Sequence, residues 1–243
     1  MPTPFLRAEW RHLAMLNYRV RASLLEPYVP AGTDLDMFRG VAYLSVVGFL
    51  FRRTRVLGLL IPFHENFEEV NLRFYVRRTV ADEVRRGVTF IRELVPRTAI
   101  ALTAKALYNE PYKARSMRHR ISRDRDALTS VEYAWNSGGQ WTTLRAAVSG
   151  EPRELVAGSE EEFITQHYWG YTQQRDGGTV EYRVDHPSWR VWHATTATIE
   201  GIPGDVFGDE FGAVLTRAPD SAFVADGSAV TVSSPSRIGG ATA

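Results

Sequence analysis

The strongest constraint in this sequence is a two-residue period that recurs in short runs. In FEEVNLRFYVRR at 67–78, Phe67, Val70, Leu72, Phe74 and Val76 fall mainly on one side and the charged residues on the other. VTFIRELV (88–95), SVEYAW (130–135) and WTTLRAAV (141–148) read the same way. Successive side chains of a strand point to opposite faces, so this alternation predicts β-strands with one face in a core. VAYLSVVGFLF at 41–51 is apolar almost throughout, which predicts a strand covered on both faces. NSGG at 136–139 marks a hairpin turn between two of the runs. Further strands are expected at TVEYRV (179–184) and WRVWHATTATI (189–199). AFVADGSAVTV (222–232), with Asp226-Gly227 at its centre, is expected to form a terminal hairpin.

Helical spacing is confined to three segments. RASLLEPYVP (21–30) is closed by Pro30, and PRTAIALTAKALYN (96–109) opens on Pro96 and is stopped by Pro111. SEEEFITQHYWG (159–170) has Ser159 as N-cap, Glu162 three residues on, and Gly170 as its terminator. Many antiparallel strands with a few intercalated helices, and no β-α-β alternation, predict an α+β fold built on a curved sheet or barrel. No repeat or linker divides the chain, so one domain is expected over 1–235, with a flexible tail at 236–243.

Composition removes several function classes. There is no cysteine, hence no disulfide, thiolate metal site or cysteine nucleophile. The six histidines form no pair at ligand spacing and no HExxH, so no metal is expected. Glycine fingerprints for nucleotides are absent, and no cofactor is expected. A net charge of +1, with arginine clusters interleaved by apolar and acidic residues, argues against nucleic acid as a partner. The longest apolar run is about half of a bilayer span, and the first residues are too polar for a signal peptide. The expectation is a cytoplasmic protein with a small-molecule ligand and no membrane partner. Whether it forms a homo-oligomer is open.

Of the 29 lysines and arginines, only Lys105 and Lys113 are lysine, and both lie in AIALTAKALYNEPYKARSM at 99–117. Lysine can lose its proton and become a nucleophile, which arginine cannot. Arg115, two residues beyond Lys113 and on the same face of an extended chain, is a cation placed to depress its pKa. Both lysines as plain surface charges is the competing reading. The densest acid cluster is HENFEEVN at 64–71, where Glu69 shares a strand face with Asn71. Glu69 points either to solvent or into a barrel interior, where it would be a candidate acid or base.

Several segments together resemble the YqjF-like family of bacterial proteins, a domain of unknown function. They include AEWRHLAMLNYRV, VPAGTDLD, FEEVNLRFYVRR, RGVTFIRELVPR, ALYNEPY, EEFITQHYWGYTQQRDGGTVEYRV and HPSWRVW. The family is in turn distantly similar to acetoacetate decarboxylase. That resemblance implies a cone-shaped antiparallel β-barrel with a few peripheral helices and an internal ligand pocket. Arg11, followed by Tyr18-Arg19 and Val29-Pro30, would match the decarboxylase arginine that faces the active site. The decarboxylase carries a Pro-Lys-Lys triplet whose first lysine forms a Schiff base with the substrate and whose second helps depress its pKa. Here the matching residues are Pro111-Tyr112-Lys113, with tyrosine at the imine-forming position.

The catalytic candidates are therefore Tyr112, Lys113 and Glu69, and the substrate-binding ones Arg11, Lys105, Tyr108 and Glu110; the family pattern has no counterpart of Lys105, and Glu69 is taken from the acid cluster. Tyrosine cannot form an imine, so any chemistry differs from the usual decarboxylation. A lyase-like activity on a small keto acid or related carbonyl compound, and ligand binding without turnover, both remain in play.

Overall fold

The computed structural model describes residues 4–60, 65–96 and 111–238. The expected helix over 96–109, and with it Lys105, Tyr108 and Glu110, therefore lies outside the described residues apart from Pro96. What is described is a strand-rich, mostly antiparallel sheet with few helices.

Its centre is four long strands: β1 (Leu6–Val20), β3 (Ala42–Val56), β5 (Phe67–Val80) and β6 (Glu83–Val95). Short strands β2 (Asp34–Leu35) and β4 (Leu59–Leu60) pair with β5 and β3. The chain then forms β7 (Tyr112–Ala114), β8 (Met117–Asp124), β9 (Ala127–Ser137) and β10 (Gln140–Val148). It continues through β11 (Trp169–Gln173), β12 (Thr179–Asp185), β13 (Val191–Glu200), β14 (Ser221–Val232) and β15 (Ser236–Ile238). The strand order is β15-β12-β11-β6-β5-β3-β1-β14-β13-β10-β9-β8. A further ladder joins Val184 and Asp185 of β12 to Val232 and Thr231 of β14, so the path from β12 to β14 returns to its start.

Alternation along the central strands separates two cores. Val70, Leu72, Phe74 and Val76 of β5 point into the larger one, with Leu16 and Tyr18 of β1 and Val46 and Leu50 of β3. Tyr133, Trp135 and Leu144 of the β9–β10 hairpin close that core, with Phe207 and Phe211 from α3 (Gly204–Phe207) and α4 (Asp209–Leu215). The opposite face of the same strands holds Leu13, Met15, Val47, Phe49, Phe67 and Tyr75, covered by Phe163, Ile164 and Trp189. Phe67 thus sits with Glu69, across the strand from the Val70 row where the sequence pattern had placed it. Side chains i and i+2 share a face, so β5 presents one face that is apolar from Val70 to Val76 and a Glu69 face that mixes apolar and polar residues.

Local expectations were met unevenly. The 21–30 segment is one short turn of helix, α1 (Ala22–Leu25), followed by a 3-10 turn over Glu26–Tyr28. The capped segment forms α2 (Glu160–Thr165): Ser159 Oγ accepts from Glu162 N at 3.2 Å, and the Glu162 carboxylate accepts from Gly158 N at 2.7 Å. Gly170 does not terminate that helix; it lies in β11, opposite Tyr182, where any Cβ would collide with the tyrosine ring. The expected hairpin at 222–232 is a single strand. Asp226-Gly227 forms an irregularity instead, with Gly227 at φ +79° and its Cα face pressed against the Trp10 carbonyl. Three residues of the expected tail, Ser236–Ile238, pair with β12 and bury Ile238.

Candidate active site on the Glu69 face

A buried polar group lies where β5, β6 and β7 meet. Asn71 pairs with Glu93 in the antiparallel β5–β6 ladder, and Glu93 pairs with Tyr112 in the parallel β6–β7 ladder. Cross-strand partners share a face, so Asn71, Glu93 and Tyr112 stand in one row, and Glu69 is two residues from Asn71 on the same side. Glu69 is 3% exposed, Asn71 2% and Glu93 1%. Tyr112 Oη donates to Glu69 Oε2 at 3.1 Å, and Asn71 Nδ2 donates to Glu69 Oε1 at 3.0 Å. The carboxylate is thereby held at both oxygens, and its acceptance from Nδ2 fixes the orientation of the Asn71 amide.

The Glu69 face continues along β5 to Arg73 and Tyr75. Tyr75 Oη and Ser45 Oγ lie 2.6 Å apart, Ser45 Oγ donates to Asn17 Oδ1 at 2.7 Å, and Asn17 Nδ2 donates to Ser221 Oγ at 3.1 Å. Ser221 and Tyr43 both donate to the Glu160 carboxylate at the start of α2. Beside this chain sits His167, whose burial holds its imidazole down at about 4 despite Asp36 nearby. The face therefore contains two hydrogen-bonded groups of polar side chains among aromatic and aliphatic ones, with Arg73 between them along β5.

The remaining expected site residues lie elsewhere. Lys113 pairs with Leu94 and shares its face, with Arg92, on the side opposite Tyr112. Desolvation first, then the charges of Arg92 and Arg115, holds its amine below the ordinary lysine value. Arg11 is in register with Leu50, and Leu50 with Glu68, which places it on the face opposite Glu69. Its guanidinium holds Glu9 Oε2 at 3.0 Å and the Gly227 carbonyl at 3.2 Å. The structure brings Glu69 and Tyr112 together, and brings neither Lys113 nor Arg11 to them. Asn71 was read from the sequence only as sharing the face of Glu69, and Arg73 and Glu93 were not singled out. The signal for the first two was present: in FEEVNLRFYV they follow Glu69 at i+2 and i+4.

Among the described residues, no group of three or more histidines, aspartates and glutamates is arranged to hold a metal ion, and no helix is long and apolar enough to cross a membrane.

Comparison with known proteins agrees with this architecture. The profile of the DUF2071 family, described as an uncharacterized conserved protein, matches residues 7–229. The uncharacterized protein YqjF of Bacillus subtilis is 25% identical over 183 residues, which cover 75% of this chain and 73% of that protein. Among solved structures, acetoacetate decarboxylase from Legionella pneumophila superposes with a TM-score of 0.69 at 10% identity, covering 100% of this chain and 90% of the other. The enduracididine biosynthesis enzyme MppR in complex with pyruvate gives 0.68 at 14% identity, with 98% and 91% covered. An acetoacetate decarboxylase-like enzyme from Sphingomonas wittichii gives 0.64 at 15% identity, with 98% and 94% covered. At these identities the likeness establishes an acetoacetate decarboxylase-like fold.

Proposed function

Because the chain belongs to the DUF2071 family, a family described only as uncharacterized, and has this fold, we propose that it binds a small carbonyl or carboxylate compound on the Glu69 face. We read that face as the inside of a cone-like barrel formed by one unit over 1–235; the return of β14 to β12 supports this. The observation that carries the proposal is the hydrogen bond from Tyr112 to a carboxylate 3% exposed, beside Asn71. A phenol and a carboxylate sharing one proton donor in a buried setting form an acid–base pair without a covalent nucleophile. Tyr112 stands where the resemblance expects the imine-forming lysine, and Lys113 faces away, so the chemistry open to this face is proton transfer to or from a bound carbonyl compound. Binding without turnover is the second reading, supported by the same missing amine.

A thermal-shift and calorimetric screen of acetoacetate, pyruvate and 2-oxobutyrate, with and without borohydride, tests the proposal. Binding lost in Glu69→Gln and weakened in Tyr112→Phe, with no borohydride adduct on Lys113, is the expected result. An adduct mapped to Lys113, or binding indifferent to both substitutions, overturns it. Product formation under the same conditions separates turnover from binding alone.

A further inference from the structure

Arg73 follows Asn71 and Glu69 on the same face of β5, and among the described residues it has no carboxylate within ion-pair reach. Its Nη2 makes one long hydrogen bond, 3.4 Å to the Ile164 carbonyl, and a 4.0 Å contact to Met15 Sδ. The guanidinium lies 5.8 Å from the centre of the Tyr75 ring, and its buried Nε has no hydrogen-bond partner. A guanidinium carries five donors and a permanent charge, and taking it partly out of water without an anion is costly. Arg92 shares this state on the opposite face of the sheet, its buried Nε also without a hydrogen-bond partner, whereas other arginines are paired. In an open groove of ≈ 470 Å³ near β6 and β11, lined in part by Arg85, Arg86 and Arg183, each cation is already committed. Arg85 holds Glu181 and Glu83, Arg86 holds Asp36, and Arg183 holds Asp185.

We propose that Arg73 is the anion-binding residue of the Glu69 face, and that it orients a compact carboxylic acid with its carboxylate away from Glu69. This rests on the ligand-binding reading above. Met15 lies in the register row of Val47 and Asn71, so the contact of Nη2 with Met15 shows the guanidinium leaning across β3 toward that row. Arg73 and Glu69 lie four residues apart, about 13 Å along the strand, and the lean of the guanidinium toward the Asn71 row leaves about half of that for an acid of roughly three to six carbons to span. The Glu69 and Glu93 side chains disfavour a carboxylate at that end and favour a neutral carbonyl or hydroxyl group. Asn71 Oδ1, a buried acceptor with no hydrogen-bond partner, adds a second preference there for a donor such as a hydroxyl.

The test compares acids with their neutral esters: acetoacetate against methyl acetoacetate, and 3-hydroxybutyrate against methyl 3-hydroxybutyrate, by calorimetry at one pH. The unmodified chain is expected to prefer each acid by about tenfold or more, the scale of a charged hydrogen bond. Arg73→Gln is expected to abolish that preference while ester affinity stays unchanged, and Arg73→Lys to retain part of it. Far-UV circular dichroism and thermal unfolding of each variant confirm the fold; if Arg73→Gln does not fold, the acid-to-ester ratio of Arg73→Lys decides. An unchanged ratio overturns the assignment of Arg73. If Glu69→Gln still weakens acid and ester together, that failure leaves the broader reading intact, whereas no binding of any acid or ester removes both.

Discussion

Tyr112 and Lys113 are adjacent in sequence and face opposite sides of the sheet. Tyr112 donates to Glu69 Oε2 at 3.1 Å on one side, while Lys113 lies with Arg92 on the other. The period of a strand makes this unavoidable once both residues are in β7. The amine of Lys113 is thereby turned away from the Glu69 face.

Substituting Tyr112→Phe removes the donor and leaves Glu69 Oε2 one hydrogen bond short in a nearly dry setting. Hydrogen bonds to charged groups contribute about 1.5–3 kcal/mol. Urea unfolding of Tyr112→Phe is expected to show a loss on that order, with an unchanged m-value. A stability equal to that of the unmodified chain would mean that the bond contributes nothing.

Tyr112→Lys places an amine on the Glu69 face at the position where the resemblance expects an imine-forming lysine. With acetoacetate and borohydride, this variant is expected to gain one trapped adduct, mapped by peptide mass to residue 112. The unmodified chain is expected to give none at Lys113. A Lys113 adduct of equal yield in both proteins would show that the face is irrelevant to amine chemistry.

The two-residue period made most of the sheet readable, including the strand that carries Glu69 and the hairpin at NSGG, where Gly138 and Gly139 adopt φ +60° and +89°. It could not say which face of 67–78 met which core, because both faces are covered: Val70, Leu72 and Phe74 by one core, Phe67 and Tyr75 by the other. The Tyr112–Glu69 contact spans 43 positions and depends on a parallel β6–β7 ladder that no local signal announces. Asp226-Gly227 misled for a related reason. Asp-Gly suits a turn, but a positive-φ glycine serves equally well at an irregularity within a strand. Arg11 was assigned to the site by pattern, and register moved it to the other face.

Gly170→Ala is expected to destabilise the chain by about 1–3 kcal/mol, the usual scale of overpacking, because the new Cβ would overlap the Tyr182 ring across the β11–β12 ladder. Tyr182→Ala in the same background should remove the clash, so the two substitutions will be strongly non-additive in a double-mutant cycle. Simple additivity would place the role of Gly170 in its backbone instead.

Acid should unfold this protein through buried neutral histidines. His167 and His12 are each held down at about 4, His167 by burial, then Arg86 and Arg73 against the opposing pull of Asp36, and His12 by burial, then Arg123 and Arg52. An unfolded histidine titrates near 6.5, so between about pH 6.5 and 4 the unfolded chain binds protons that the folded chain refuses. Stability is therefore full above pH 6.5, falls as pH drops through that window, and stops falling on this account below about 4. For a shift of this size the loss is on the order of 3 kcal/mol at buried His167, and less at half-buried His12, where solvent screens the charge. Unfolding measured across pH 4–7 is expected to show a flatter profile in His167→Gln and in His12→Gln, and flatter still in the double variant. A double variant with the slope of the unmodified chain would assign acid sensitivity to its carboxylates.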